Sequence, residues 1–545
     1  MLKPIVFFHL LFFSSLAFSQ DPSWHWGIGA GGNNSDKGMA ICVDANGNSY
    51  VTGFFQSGGI TFGSIDLDNT LSNNTSDAFL VKLDPSGNAL WAHAIGGTGY
   101  QSGMAVATTP DDGVVMAMPF ENTVTVGTQT HTSPGGSALL VAKYNGDGDA
   151  LWSYSAGSES QVYVHDVAVS SDGRVAACGS FTGNNFSSSA GSANNAGGLD
   201  MYVVVLDEDG NAAWSAFAGN SVEESARAVS FTSNGDVVVG GYYTSGSLLI
   251  AGSTIINADD NDNDIFLARY GANGSGLWAI GQGTNDTETL MDLAIDAQDR
   301  IVIAGTFDAP EFDLLGTTLV NTSPNVDDSW IDHFVAKLDG SGALIWAVSG
   351  GGTQHEFLSG VAIGADGDVY VCGEFESQDA VFGGSTISAS SGSSPYVVKY
   401  STDGEAIWGV AAGGAQSDYS ERIAVDAGGG VLVTGWFNGD LELGSNAIES
   451  EGDDDVWIAK LGGTVGLSER AGSHFATASM DPVSGLCNVQ SDRRIDAIVV
   501  IDAAGRSVHS SSPRSDRANF VLEKVGAYLV KVRSGELQET LKILR

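Results

Sequence analysis

Cysteine is nearly missing from this chain, with four residues in 545. That is too few for a disulfide framework at this length, and no Cys-x-x-Cys pair points to a metal or redox site. Basic residues are scarce too: 23 Lys and Arg stand against 65 Asp and Glu, a formal net charge of −42. A field of that sign repels nucleic acid and anionic lipid, so neither is expected as a partner. Long apolar runs are absent beyond the N-terminus, which leaves no transmembrane segment. No stretch holds a 3.6-residue apolar period over three turns, which excludes a helical fold. The histidines are scattered, with no His-Glu-x-x-His or Gly-x-Ser-x-Gly among them. Catalytic and metal residues are therefore not assigned.

The first residues read as an export signal. Lys3 supplies the positive charge, Ile5 to Phe13 the apolar core, and Ala17-Phe18-Ser19 a small-x-small cleavage site before Gln20. A signal peptide over 1–19 implies a secreted, soluble mature chain. No Cys follows the site to carry a lipid.

What the chain has in abundance is repetition. Val43 to Phe55 (VDANGNSYVTGFF) returns at Val169 to Phe181, Ile295 to Phe307, Ile363 to Phe375 and Val425 to Phe437, with looser copies at Val106 to Phe120 and Val229 to Tyr243. A second signature, Asp77 to Leu83 (DAFLVKL), follows each copy, and a third carries Trp91, Trp152, Trp214, Trp278, Trp346 or Trp408. From Trp26 onward these tryptophans are spaced by 65, 61, 62, 64, 68 and 62 residues. A fixed period of this size marks repeated supersecondary units. Alternating apolar residues rich in Val, Ile, Phe and Tyr make the units β. The first offers strands at Met39–Val43, Ser49–Phe55, Ala78–Leu83 and Ala89–Ile95. Asp44 to Asn48 and Asp84 to Asn88 form the tight turns, where Asp caps backbone N–H groups and Gly accepts a positive φ. Cys178 and Cys372 occupy a position held elsewhere by Thr, Ala or Gly, a small packing site.

Seven four-stranded antiparallel units predict an all-β fold, a seven-bladed β-propeller over residues 20–463. The last unit lacks its Trp strand, and a lone Trp strand, Trp24–Gly29, precedes the first. The N-terminal strand is expected to complete the seventh blade and close the ring. The three signatures in this order resemble the SBBP family of seven-bladed bacterial β-propeller repeats, a resemblance that implies the fold but no fixed activity. Blade 2 departs most, with Met118-Pro119 and Ser137 at signature positions. The repeats are long between the second and third strands, where Ile60-Thr61-Phe62-Gly63 and its counterparts suggest an added hairpin. One face of the propeller is thereby elaborated.

After Gly463 the repeat stops and the charge changes: residues 464–545 hold 11 Lys and Arg and 9 Asp and Glu. A linker over 464–473 and a small β-sandwich-like domain over 474–545 are expected. Ile498 to Arg506 (IVVIDAAGR), Gly526 to Val532 (GAYLVKV) and Leu541 to Arg545 (LKILR) resemble the type A sorting domain of the type IX secretion system. The matching positions are Asp502, Gly505, Arg506, Gly526, Tyr528, Lys531 and Lys542. The opening departs, with Asp481-Pro482 where the family often has Pro-Asn-Pro. The resemblance implies type IX secretion machinery as a partner, export across the outer membrane, removal of the tail, and release or attachment at the cell surface.

The loops leading into each blade carry most of the acids and rings on the elaborated face. Asp36, Tyr100, Glu159, Glu224, Asp286, Glu356, Phe357, Asp418 and Tyr419 form the candidate ligand site, a mixture that suits an extracellular glycan or a protein segment. The expected function is a secreted or surface-bound binding and adhesion scaffold. The alternatives are an extracellular carbohydrate-active enzyme using these acids and a structural surface-layer component. No cofactor is expected apart from calcium, suggested by Asn145 to Asp149 and Asp207 to Asn211, which also fit ordinary hairpin turns. Asp259 to Asp264 and Asp453 to Asp455 are denser in acid and read as solvated loops.

Overall fold

The computed structural model describes residues 22–71, 75–259, 262–322, 330–389, 392–462, 476–480, 486–502, 507–522, 527–534 and 537–544. The chain divides into two compact units, Met1–Thr464 and Val465–Arg545, and the described elements of both are β-strands. The signal-peptide residues 1–19 and the linker 464–473 lie outside the described residues. No helix among the described residues is long and apolar enough to cross a membrane.

In the first unit one arrangement recurs. Asp36–Val43, Ser49–Phe55, Asp77–Leu83 and Ala89–Ile95 lie side by side in chain order, each antiparallel to the next. Seven such four-stranded arrays are present among the described residues. Their innermost strands contact one another in succession, and the last of these, Tyr419–Val425, contacts the first, Asp36–Val43. These arrays are the blades of a β-propeller. In the final array the outer strand is Trp24–Ala30, paired with Asp455–Leu461 so that Trp24 lies opposite Leu461. The ring is closed by its own N-terminal strand, which leaves no open sheet edge at the junction.

The core lies between blades. Each of seven apolar clusters draws on two adjacent blades: Phe55, Ile60 and Phe79 of the first blade, for example, pack with Val456 and Ile458 of the seventh. The outer-strand tryptophans bridge the same seams. Trp26, Trp91, Trp152, Trp214 and Trp346 donate their indole N–H to Pro85, Gly146, Glu208, Ala272 and Thr402, carbonyls in the third turn of the following blade, at 2.9–3.2 Å. The turn glycine beside each indole has φ between 82° and 91°. A Cβ on Gly87, Gly148, Gly210, Gly274 or Gly404 would also approach the ring to 2.6–3.0 Å. Glycine is required there twice over, for backbone conformation and for the indole's seat.

The inserted segments form two-stranded hairpins such as Gly59–Phe62 with Ile65–Asp68. Ile60 and Phe62 point inward and Thr61 outward, so each hairpin is clamped by one face of its alternation. In the second blade the hairpin is continuous with Val114–Val126 and Gln129–Tyr144, whose pairing shifts register between Thr132 and Ser137. In five of the other blades the third strand opens on an Asp, as where Asp77 accepts from Thr70 N–H at 2.7 Å and so caps the loop after the hairpin. The second blade has Ser137 in that place and the sixth has Ser394.

In the first blade the largest boundary difference from the sequence reading is in the innermost strand. The innermost strand starts at Asp36, not Met39. Asp36, Lys37 and Gly38 pair with Phe55, Phe54 and Gly53, and the register then slips at Met39 before resuming at Ala40. The bulge breaks the two-residue alternation that marks a strand, so the sequence pattern begins only after it.

The second unit contains two antiparallel sheets. Ala476–Met480, Leu486–Ile495 and Ser515–Val521 form one; Ser507–Ser511, Ala497–Asp502, Ala527–Ser534 and Leu537–Leu544 form the other. Cys487, Val489, Ile495, Ile498, Val500, Phe520, Val530 and Val532 are packed together as a sandwich core. Of the sorting-motif positions, Asp502, Tyr528, Lys531 and Lys542 lie on strands of the second sheet. Gly505, Arg506 and Gly526 lie outside the described residues.

Candidate functional site in the central channel

The bulge seen at Met39 recurs at the same place in the innermost strands. Register slips fall at His165, Arg227, Met291, Ser359 and Glu421, the fourth residue counted from the aligned start of each strand. A bulge re-aims the side chain it carries. Here it turns Met39, His165, Arg227, Met291, Ser359 and Glu421 into the channel, where Met104 of the second blade joins them. Neighbouring positions on these strands are small or apolar in most copies, whereas the bulged position differs from blade to blade.

The side chains line a cavity of about 310 Å³ with Thr306, Phe357, Glu374 and Arg422. Cross-strand pairs build its rim: Lys37 opposite Phe54, Phe357 opposite Glu374, and Tyr419 opposite Trp436. Tyr419 stacks on Trp436 at 3.8 Å, Lys37 lies 3.3 Å from the centre of the same indole, and the Trp436 N–H donates to Glu421 at 3.1 Å. Trp330, His355 and Phe357 form a second file of rings, with centroids 4.7 and 5.4 Å apart. The rim residues sit at the start of the innermost strand and the end of the second, so the cavity lies toward the elaborated face.

A second chamber of about 350 Å³ occupies the other half of the channel. Arg422 lines both chambers and donates to the carbonyls of Ser359 and Glu421 at 2.7 and 3.0 Å. Asp166 and Asp292 accept from the backbone N–H groups of Val229 and Val361, each at 2.8 Å. Burial pushes Asp166 up to about 7, and the charge of Asp292 adds to the rise. The fields of Asp292, Asp166 and Glu421 hold the Arg422 guanidinium above its ordinary value in spite of burial. Burial, with the charges of Arg227 and Arg422, keeps His165 well below the usual imidazole range and hence neutral at pH 7. Burial, then the charge of Glu421, raises Glu374 well above the ordinary carboxyl value.

The residues expected to form the site are dispersed by the structure. Phe357 lines the channel and Tyr419 its rim. Tyr100, Glu159 and Asp286 are exposed on separate loops. Asp36, Glu224, Glu356 and Asp418 are not on the surface: each is 0 % exposed and serves as a hydrogen-bond acceptor at a blade junction. Asp36 accepts from Gln56 and Ser57, and Glu224, Glu356 and Asp418 accept from the N–H groups of Asn220, Gly352 and Gly414 at 2.7–2.8 Å. Those N–H groups lie four residues earlier, so the acid closes its own loop. An acid placed just before an apparent strand looks exposed; here it belongs to the strand and faces inward.

The calcium-like loops are likewise used within the fold. Asn145 accepts from the N–H groups of Asp147 and Asp149, and Asp207 from those of Asp209 and Asn211, at 2.8–3.1 Å. Asp260 and Asn261, in the densest acidic run, lie outside the described residues. What sequence reading missed was the ring itself. The signal was present in the repeat alignment: Met39, Met104, His165, Arg227, Met291, Ser359 and Glu421 share one repeat position, where three are methionine and the other four differ.

Sheet order and the closed ring of innermost strands define a β-propeller repeat protein. No protein-family model matches the chain. It is 24 % identical over 506 residues to an uncharacterized WD repeat-containing protein of Acanthamoeba polyphaga mimivirus, covering 77 % of this chain and 36 % of that protein. It is 27 % identical over 205 residues to the regulatory protein FlaEY of Caulobacter vibrioides, covering 36 % of this chain and 21 % of that protein. The chain thus spans about a third or less of the length of these curated relatives. Among solved structures it resembles Sqt1 from Chaetomium thermophilum, with TM-score 0.38, 11 % identity and coverage of 76 % of this chain and 97 % of that one. It also resembles PorZ, a surface component of the type IX secretion system of Porphyromonas gingivalis, with TM-score 0.25, 9 % identity and coverage of 95 % and 99 %. The fold assignment rests on the sheets themselves, not on these likenesses.

Proposed function

We propose that the protein is a binding scaffold of the cell exterior, an SBBP-type propeller that receives its ligand through the rim of the elaborated face into the central channel. The observation that carries this reading is the bulged repeat position, which turns Met39, Met104, His165, Arg227, Met291, Ser359 and Glu421 into one channel. Repeated geometry serves the fold; side chains that differ from blade to blade and converge on one channel serve recognition. The alternative of a carbohydrate-active enzyme drew on the face acids, four of which are occupied as buried acceptors. Ligand binding is tested by a thermal-shift screen of metabolites and oligosaccharides on the whole chain, repeated on a Met39→Trp/Met291→Trp variant that narrows the channel. A saturable shift is expected in the parent and not in the variant, with the unliganded melting point within a few degrees. A shift of equal size in both places the ligand elsewhere and overturns the reading.

Export is the second half of the proposal. The N-terminal signal and the likeness of the tail to type A sorting domains support passage through the type IX machinery, followed by tail removal. Removing residues 465–545 is expected to leave the propeller in the periplasm, as measured by fractionation and immunoblot; undiminished protein outside the cell would refute the sorting role.

A further inference from the structure

We infer that the channel ligand is a small zwitterion of amino-acid type, with its carboxylate on Arg227 and its ammonium toward Glu421 and Glu374. This rests on the channel being the ligand site. Arg227 is the group that asks for a partner. Among the described residues no carboxylate comes within the 4.0 Å of an ion pair, and its one hydrogen-bond contact is the Met291 sulfur at 4.0 Å. A guanidinium has five N–H donors in a rigid fork, suited to a carboxylate taken in two parallel bonds. Burial, helped by the like charge of Arg422, depresses Arg227 below its ordinary value, and the opposing fields of Tyr242, Cys178 and Glu421 do not offset it.

The other charged groups of the channel are engaged. Arg422 is met by the fields of Asp292, Asp166 and Glu421 and bonded to two carbonyls. The Asp166 and Asp292 carboxylates hold backbone N–H groups. Across the ring from Arg227, three blades on, Glu421 stands beside Glu374. One Glu421 oxygen takes the Trp436 N–H, and Glu374 accepts from Ser359 at 3.3 Å. Burial, then the charge of Glu421, raises Glu374, which an ammonium beside the two carboxyls would relieve. Met39, Met104, Met291 and Phe357 supply an apolar wall between the two poles. Methionine adapts its shape to what it covers. Cationic and carboxyl groups thus face one channel, which suits a ligand that carries both signs. The volume, about 310 Å³, lies at the lower end of small-molecule pockets and admits a free amino acid, not a polymer chain.

The test is isothermal titration of the whole chain with the twenty standard L-amino acids, their N-acetyl derivatives and their methyl esters. At least one free amino acid with an apolar side chain is expected to bind saturably. Masking either charged end should weaken it more than about tenfold, the size of one charge-assisted hydrogen-bond pair. Arg227→Met should do the same to the free amino acid while leaving the already weakened methyl ester unchanged, a split that general misfolding would not produce. Equal binding of masked and free forms overturns the inference, as does the failure of every amino acid to bind. If in that case another compound gives a shift that the Met39→Trp/Met291→Trp variant abolishes, the channel site stands and only its zwitterion specificity falls.

Discussion

Removal of residues 21–30 will lower the melting temperature by about 10 °C or more, since it takes away a blade's outer strand and opens the ring. Trp24 packs edge-on against Trp457 at 6.4 Å, Trp26 bonds across the seam to Pro85, and Ile28 and Ala30 belong to the cluster joining the seventh and first blades. Gly32 N–H reaches the Asp455 carboxylate at 3.3 Å. Truncating a buried aromatic or aliphatic side chain costs about 2–5 kcal/mol, and several go at once. The deletion also exposes the edge of Asp455–Leu461, so self-association should accompany the loss of stability. Differential scanning calorimetry with light scattering measures both. An unchanged melting point would show that the ring does not depend on this strand.

A second large effect concerns pH. At four blade junctions two carboxyls meet: Asp455 with Asp36, Asp200 with Glu224, Asp264 with Glu288, and Asp332 with Glu356. All eight residues are buried. One oxygen each of Asp332 and Glu356, and of Asp200 and Glu224, has no hydrogen-bond partner, so a proton held between the acids satisfies both. Burial, then the Asp332 charge, brings Glu356 up to about 8. Burial, then the Asp264 charge, brings Glu288 to about 8 as well. The folded chain keeps protons that the unfolded chain releases above its ordinary carboxyl value. Stability is therefore full below about pH 4.5, falls as pH rises toward the folded values, and levels off above about pH 8. Below pH 4 an opposite loss begins in the hairpin turns, where Asp339, held low by its bonds from Ser341 and Ala343, takes up protons. The optimum should sit near pH 5, with a melting point at pH 8.5 lower by about 5 °C or more. Glu288→Gln/Glu356→Gln supplies an amide donor in place of each proton. The double variant should show a flatter decline between pH 5 and 8.5 and exceed the parent at the alkaline end; parallel curves would remove these pairs as the cause.

The β-propeller could be read from the sequence because its determinants are local and repeated. Asp44 and Gly47 write a turn, Phe79 and Val81 an alternating strand, and Trp91 a seam, each again and again. The candidate site was less legible. Asp36 and Glu356 looked like loop acids because the bulge hides the strand on which they stand. Arg227 and Glu421 lie 194 residues apart and look unrelated until the ring brings them to one channel. Phe357 and Tyr419 stand at the channel and its rim, and aromatic rings at a strand start are visible in a single repeat. What one repeat cannot show is convergence, which depends on the closed geometry of all of them.

The pairing of Trp24 with Leu461 has a further consequence, for the order in which the fold is assembled. Trp24–Ala30 leaves the ribosome long before its partner, which lies more than 400 residues downstream, and is among the last strands of the ring to find its place. Closing so long a loop costs little more entropy than closing one of half the length, so the delay is one of synthesis rather than of thermodynamics. The two ends of the ring, once joined, lie side by side. The propeller is then a circle in all but covalent connection, and a chain cut between any other two blades, with residues 24 and 461 linked, would describe the same ring.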